Sequence, residues 1–387
     1  MLAPKTFCEK RFVYHVCITS SRFSAASGPA AHSPGGYPGE VQRSGRPTIK
    51  DVAKAAGVSP TTVSHALNGK GVVRQETIAR IEQVAAEIGY RASPIAQGLQ
   101  SSRLGLLALV IRPLHSLDTF LPVGVDYFLR LAGAASLAAM EHGYSMMLVD
   151  DPTRPDAPLS ATAADAYIVS EPFANDPVLT MLADRNIPFV SIGSDPARPN
   201  QFVELATRDW EEATFILDHL ESAGAQRVAL LTGTDTNSWN RESERAYLDW
   251  CAQRGQTPNI ASFPEVEGEQ AGAAAFAQFF GDGTGDGPIP PDGILCLTGR
   301  HAAGLNAAAA EHGVRVPEDL VLAAGSGAIQ NRLSSPSVTT LDLHPEDIAA
   351  RAVEIAVRLA EGRPLPAPLE VSHATLDIRQ STTRTKA

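Results

Sequence analysis

The chain has 387 residues, 44% of them apolar, and a formal net charge of −11. That length supports a sizeable core and more than one domain, while the apolar residues fall in short segments, none near the roughly 20 that span a bilayer. Cys8, Cys17, Cys251 and Cys296 stand far apart with no C-x-x-C pair, which speaks against a disulfide framework or a zinc site and suits a reducing cytoplasm.

The charge is unevenly placed: +3 over residues 1–45, +4 over 46–103 and −18 over 104–387. A small basic segment beside a large acidic body fits a chain that offers phosphate only its basic part. Residues 1–45 are rich in Ser, Ala, Gly and Pro with little periodicity, and their composition predicts a disordered extension. FVYHVCITSS is too short and polar for a membrane anchor, and the native start is expected near Val41, as in a mis-assigned gene start. N-terminal sequencing that returned Met1 would end that expectation.

TIKDVAKAAGVSPTTVSHALN, residues 48–68, predicts two short helices around a turn. Ile49, Val52, Ala53 and Ala56 make the i, i+3, i+4, i+7 stripe of one helix, and Gly57 supplies the turn at positive φ. Ser59 is placed to cap the second helix, with Pro60 at its first position. Val63, Ala66 and Leu67 face the same core, which leaves Thr61, Thr62, Ser64 and His65 outside. An ordinary helical hairpin would share these features. A helix-turn-helix would present that outer, N-terminal face to the major groove of DNA. A third amphipathic helix follows over residues 76–88, with Ile78, Ile81, Ala85 and Ile88 on one face. Then come RASPIAQGLQSSR and the apolar strand LGLLALVI.

That order of parts, RPTIKDVAKAAGVSPTTVSHALNGKG…IGYRASPIAQGLQSSRLGLLALV, resembles the N-terminus of the LacI/GalR (lactose-repressor) family of bacterial transcription regulators. The likeness covers about sixty residues almost without gaps and continues more loosely over 104–380. It implies an all-α helix-turn-helix DNA-binding head on an α/β, two-lobed core of the periplasmic-binding-protein type with parallel sheets. The expected domains are the extension 1–45, the head 46–92, a hinge helix and linker 93–103, and an effector-binding and dimerisation domain 104–387.

Carried over by motif position, Pro60, Thr61 and His65 would face base edges, Thr61 offering a methyl to thymine and His65 a hydrogen bond to purine N7 or guanine O6. Many relatives have arginine where this chain has His65, so different base discrimination is expected there; the plainer alternative is a solvated helix residue. Thr48, Ser59, Thr62, Ser64 and Asn68 would contact phosphate, which positions without reading sequence. Leu99, in a hinge weakened by Gly98, would wedge into the minor groove, unless it is only a buried linker residue. Val73-Arg74-Gln75 stands where relatives often have a serine cap.

From residue 104 onward, short apolar strands alternate with amphipathic helices in two successive sets, which predicts parallel sheets covered on both faces and two similar lobes. Helices are expected over 124–142, 210–223, 242–253, 302–312 and 345–361. Ligands of such folds bind at the carboxyl ends of strands. The polar anchors of sugar-binding relatives are replaced: Gly299 stands where they carry an aspartate, Ser326 lies in AAGSGA in place of Gly-Phe-Asp-Asp, and Ser243 falls where they carry arginine. Strand ends offer Arg112, His115, Trp239, Asn240, Arg241, Arg300 and His301 instead, a set that suits an anionic effector with Trp239 as a stacking surface.

The expected partners are double-stranded operator DNA, a small-molecule effector of anionic character and a second copy of the chain in a homodimer, with no membrane role. No cofactor and no metal are expected, and the expected location is the cytoplasm, on the nucleoid. RQSTTRTKA at the C-terminus has no leucine heptads for a tetramer. A ligand-binding protein of the same core fold without a DNA role is the competing reading. No phosphate-binding loop, zinc motif or nucleophile elbow stands out to support an enzyme.

Overall fold

The computed structural model describes residues 47–67, 71–90, 103–111, 126–281, 289–371 and 373–384. The chain divides into two compact units, Met1–Arg91 and Ala92–Ala387. In the first, α1 (Ile49–Ala56), α2 (Pro60–Leu67) and α3 (Gln75–Glu87) enclose a small core of Val52, Ala53, Ala56, Val63, Ala66, Ile81 and Ala85. Gly57 closes α1 at φ 64°, the left-handed conformation that a glycine adopts without steric cost. Ser59 Oγ then accepts from the Thr62 N–H at 3.1 Å, starting α2 one residue later. Arg74 precedes α3 and makes no side-chain cap hydrogen bond, consistent with a side chain that carries no acceptor.

The second unit holds two parallel sheets. β1 (Leu106–Val110), β2 (Ser145–Val149), β3 (Ala166–Ser170), β4 (Phe189–Ile192) and β5 (Glu204–Leu205) pair in the order β2-β1-β3-β4-β5. β6 (Val228–Thr232), β7 (Ile260–Ser262), β8 (Gly293–Cys296), β9 (Val321–Ala324), β10 (Thr339–Asp342) and β11 (Thr375–Asp377) pair as β11-β10-β9-β8-β6-β7, with β11 alone antiparallel. Strands AYIVS and VALLT are buried at every position, because helices cover both faces and leave no side for solvent.

α4 (Asp126–Glu141) and α5 (Pro177–Asp184) belong to the first sheet. α6 (Asp209–Ser222), α7 (Ser238–Arg254), α8 (Glu269–Phe280), α9 (Gly299–Glu311) and α10 (Ile329–Leu333) belong to the second. α11 (Pro345–Ala360) departs from the sequential reading of two lobes. It follows β10 of the second sheet but packs on α4, with Ile348, Ala352 and Val353 in the same core as Leu107 and Ile168. Among the described residues the chain therefore crosses between sheets after Leu205, after Asp342 and again ahead of Thr375. Arg130 of α4 fastens the second crossing, donating to Glu346 at 2.7 Å and to Asp342 at 3.2 Å.

Two helix starts lie earlier than the periodicity indicates. α7 begins at Ser238, not 242, because the Asn237 side chain accepts from the Asn240 N–H at 2.9 Å. α9 begins at Gly299, not 302, because Thr298 Oγ1 accepts from the His301 N–H at 3.2 Å. Both caps put polar segments, which carry no apolar stripe, inside a helix.

Candidate functional site

In the first unit, Pro60, Thr61 and His65 are exposed on one outer face of α2. The Ser59 and Thr62 hydroxyls lie 2.8 Å apart and hydrogen bond to each other, so the pair at the helix start is held in place before anything binds. Ser64 is half-buried. His65 lies against Gly71: a Cβ added there would stand 2.8 Å from the His65 Nδ1, so a side chain at that position would displace the ring. Thr48 caps α1, and its N–H and hydroxyl both donate to the Asp51 carboxylate, at 2.8 and 2.7 Å. Those bonds hold the Asp51 carboxyl below the usual carboxylate range. They also place a negative charge beside Thr48, which works against its use as a phosphate contact. Asn68 and Leu99 lie outside the described residues.

In the second unit, a cleft opens at the carboxyl ends of the strands, walled by α4 and Glu171 from the first lobe and by the N-termini of α7 and α9 from the second. Its wider chamber encloses about 820 Å³, open mouth included. A narrower inner chamber of about 420 Å³ shares Tyr127, Glu171, Trp239 and Leu343 with it. Glu171 follows β3 directly and has φ 47°. A left-handed glutamate is a strained conformation that surrounding structure must maintain, and here it brings an acid to both chambers.

Beyond Glu171, the inner chamber meets two buried acids one helical turn apart, Asp209 and Glu212. Burial pushes Asp209 up to about 6, against hydrogen bonds from Thr207 and Ser238 that favour its charged form. Burial, with the nearby Asp209 charge, pushes Glu212 up to about 8. Burial also drives the Tyr127 hydroxyl well above its ordinary value, with Glu171, Asp209 and Glu212 adding to the effect.

Of the side chains expected to hold an effector, Trp239, Asn240 and Arg300 line the wider chamber. His301 is fully buried behind it, its Nε2 3.3 Å from the Pro264 carbonyl and its pKa lowered by burial. Arg241 is exposed and lines a groove with Glu204, Glu242 and Arg245 that adjoins the inner chamber through Thr207, Asp209 and Ser238. Arg112 and His115 lie outside the described residues. Among the described residues, the cationic set behind the anionic expectation is represented in the chamber by Arg300, which shares its lining with Glu171, Asp235 and Glu265. Burial lowers the Arg300 pKa, and the Glu269 charge opposes that shift.

The replaced sugar anchors are also explained by packing. A Cβ on Gly299 would stand 2.6 Å from the Ser326 carbonyl oxygen, so an aspartate cannot be restored there without moving the turn after β9. Ser326 Oγ donates to the Leu297 carbonyl at 3.2 Å and accepts from the Gly299 N–H at 3.3 Å. Ser243 is fully buried and does not line the cleft.

Glu171, Asp235, Glu265 and Thr298 were not singled out from the sequence, and Ser326 was named there only as a replaced sugar anchor. All five lie within three residues of the carboxyl end of a strand, and the strand-end rule applied to every strand would have found them. Tyr127 and Phe128 sit on the apolar α4 and carry no comparable signal. Among the described residues no group of three or more His, Cys, Asp or Glu side chains is placed to hold a metal ion, and no helix is long and apolar enough to cross a membrane.

The chain shares this arrangement with known proteins. Residues 48–93 match the family of bacterial regulatory proteins, lacI family, and residues 217–382 match the periplasmic binding protein-like domain. The HTH-type transcriptional regulator KdgR of Bacillus subtilis (strain 168) is 26% identical, over 82% of this chain and 92% of that protein. The HTH-type transcriptional regulator AglR of Rhizobium meliloti (strain 1021) is 28% identical, over 81% of this chain and 87% of that protein. Among solved structures, the lac repressor dimer bound to operator and the anti-inducer ONPF superposes with a TM-score of 0.72 at 20% identity. It covers 88% of this chain and 100% of its own.

Proposed function

The chain belongs to the lacI family of bacterial regulatory proteins, and from that membership we propose that it acts as a homodimeric repressor released or recruited by a small molecule in the interlobe cleft. It is a DNA-binding transcriptional regulator with a ligand-binding core. The proposed domains follow its sequence: a head over 46–92, a joining segment over 93–103 and the effector and dimerisation domain beyond. The observation that carries the reading is the first turn of α2, where Ser59 and Thr62 satisfy each other and leave Pro60, Thr61 and His65 exposed on one face.

That face is assigned base reading, with Ser59, Thr62, Ser64 and Asn68 on phosphate and Leu99 as a minor-groove wedge. Two heads related by a two-fold axis read a pseudo-palindrome. The energy for switching is the difference in effector affinity between two arrangements of the lobes. Selection from a random DNA pool by the purified full chain tests this. A pseudo-palindrome is expected, and His65→Ala is expected to relax one symmetric pair of positions while leaving the rest. A folded protein that enriches no sequence, with and without a cell metabolite extract, would sink the reading. For the cleft, Leu343→Trp is expected to abolish the response of operator binding to that extract, since Leu343 lines both chambers. A response that survives the substitution would place the effector elsewhere.

A further inference from the structure

The polar groups of the cleft are weighted towards acceptors. Glu171, Asp235 and Glu265 bring three carboxylates to the wider chamber, and Arg300 is the one cationic side chain among its described lining residues. Glu265 is already held in place, accepting from the Thr234 N–H at 3.1 Å and from Asn240 Nδ2 at 2.6 Å. Asn240 adds an independent signal. It is only 5% exposed, and its Nδ2 donates to both Glu265 and the Asp235 carbonyl oxygen. Two acceptors on one side of the amide fix which atom is nitrogen. The remaining atom, Oδ1, is a buried acceptor with no partner among the described residues. A buried acceptor without a donor is costly, and Asn240 lines the wider chamber, so a donor that reached Oδ1 from that chamber would satisfy it.

The apolar surface points the same way. Tyr127, Phe128 and Trp239 face this chamber, and Tyr127 and Trp239 continue into the inner one beside Glu171. Aromatic faces attract cations through the ring quadrupole, most strongly where water is excluded. The inner chamber adds Asp209 and Glu212 and no cationic side chain among its described lining residues. Burial makes both acids resist ionisation, and a cation beside them would remove that penalty.

We propose that the effector is a small organic cation: a protonated amine that donates towards Glu171 and Asn240 and lays an apolar body against Trp239 and Tyr127. The proposal rests on the cleft being the effector site. It names the charge class of the ligand, opposite to the one the sequence led us to expect. The reason is spatial: of the basic residues that suggested an anion, Arg112 and His115 lie outside the described residues and Arg300 is the one on the described lining of the chamber, where three acids stand.

Three probes of nearly equal shape separate charge from size: phenethylamine, 2-phenylethanol and 3-phenylpropionate. Titration of each into the purified full chain, read by calorimetry and tryptophan fluorescence, is expected to rank the amine at least tenfold above the alcohol, with the carboxylate weakest. Glu171→Gln is expected to erase the advantage of the amine while leaving alcohol binding within twofold, a result that loss of folding cannot imitate. Equal or tighter binding of the alcohol or the carboxylate, abolished by Leu343→Trp, would overturn the cation and leave the cleft as the effector site. Amine binding that persists in Leu343→Trp would overturn both. No saturable binding by any of the three would overturn the proposal while leaving the extract experiment to judge the cleft.

Discussion

The head and the core bury their apolar side chains by different routes. In the head, seven buried residues among those described, from Val52 to Ala85, come from three helices consecutive in the chain. In the core, Leu107 packs in one cluster with Ile348 and Val357, residues that a whole second lobe separates in sequence. Local contacts are specified by local patterns, so the head is legible but small, and a core of that size carries a thin margin of stability. Long-range contacts join many elements at once, which gives the larger unit reserve and hides its topology from the sequence.

The sharpest test of that contrast applies one type of change to both units. Ile81→Ala and Ile348→Ala each remove a buried isoleucine and each should cost about 2–4 kcal/mol. In the head that loss exceeds what a core of seven side chains can spare. Operator binding is expected to fall more than 100-fold, with the core's thermal transition unchanged by calorimetry. In the core the same loss should lower the melting temperature by several degrees and leave operator binding within a few-fold. If Ile81→Ala also moved the core transition, the two units would not be independent.

A second prediction concerns buried charge, which the core holds and the described residues of the head lack. Asp209 and Glu212 have ordinary values of 3.8 and 4.5 and are raised on folding to about 6 and about 8. Between those limits the folded core binds more protons than the unfolded chain, so their contribution to stability falls as pH rises from about 4 to about 8 and is flat above. Glu212→Gln should flatten that decline and raise the melting temperature of the core above pH 8 by a few degrees, while the head shows no such change. A wild type and variant with parallel pH profiles would remove the assigned role of burial.

The smallest effects are expected at the head's caps. Ser59→Ala removes the acceptor for the Thr62 N–H and should cost about 1 kcal/mol. Operator affinity should drop several-fold, measured by fluorescence anisotropy, because α2 also loses the fixed hydroxyl at its start. Core stability should not move. An affinity loss no greater in Ser59→Ala than in an exposed control such as Gln83→Ala would show that the cap does not order the reading face.

The sequence by itself determined the helix-turn-helix and the alternation of strands and helices. The apolar stripe of α1, the positive φ of Gly57 and the Ser59 cap each act within four residues, and a short-range cause leaves a short-range pattern. The basic head and acidic body were equally visible, since charge counts need no coordinates. Tertiary structure alone decided that α11 returns to the first lobe, that Asp209 and Glu212 are buried together at the inner chamber, and that Glu171 lines both chambers while Arg241 lines the adjoining groove. These depend on which segments meet across hundreds of residues. A side chain's charge is fixed by its identity, but whether that charge enters a cleft depends on the crossings of the chain, which no local pattern encodes.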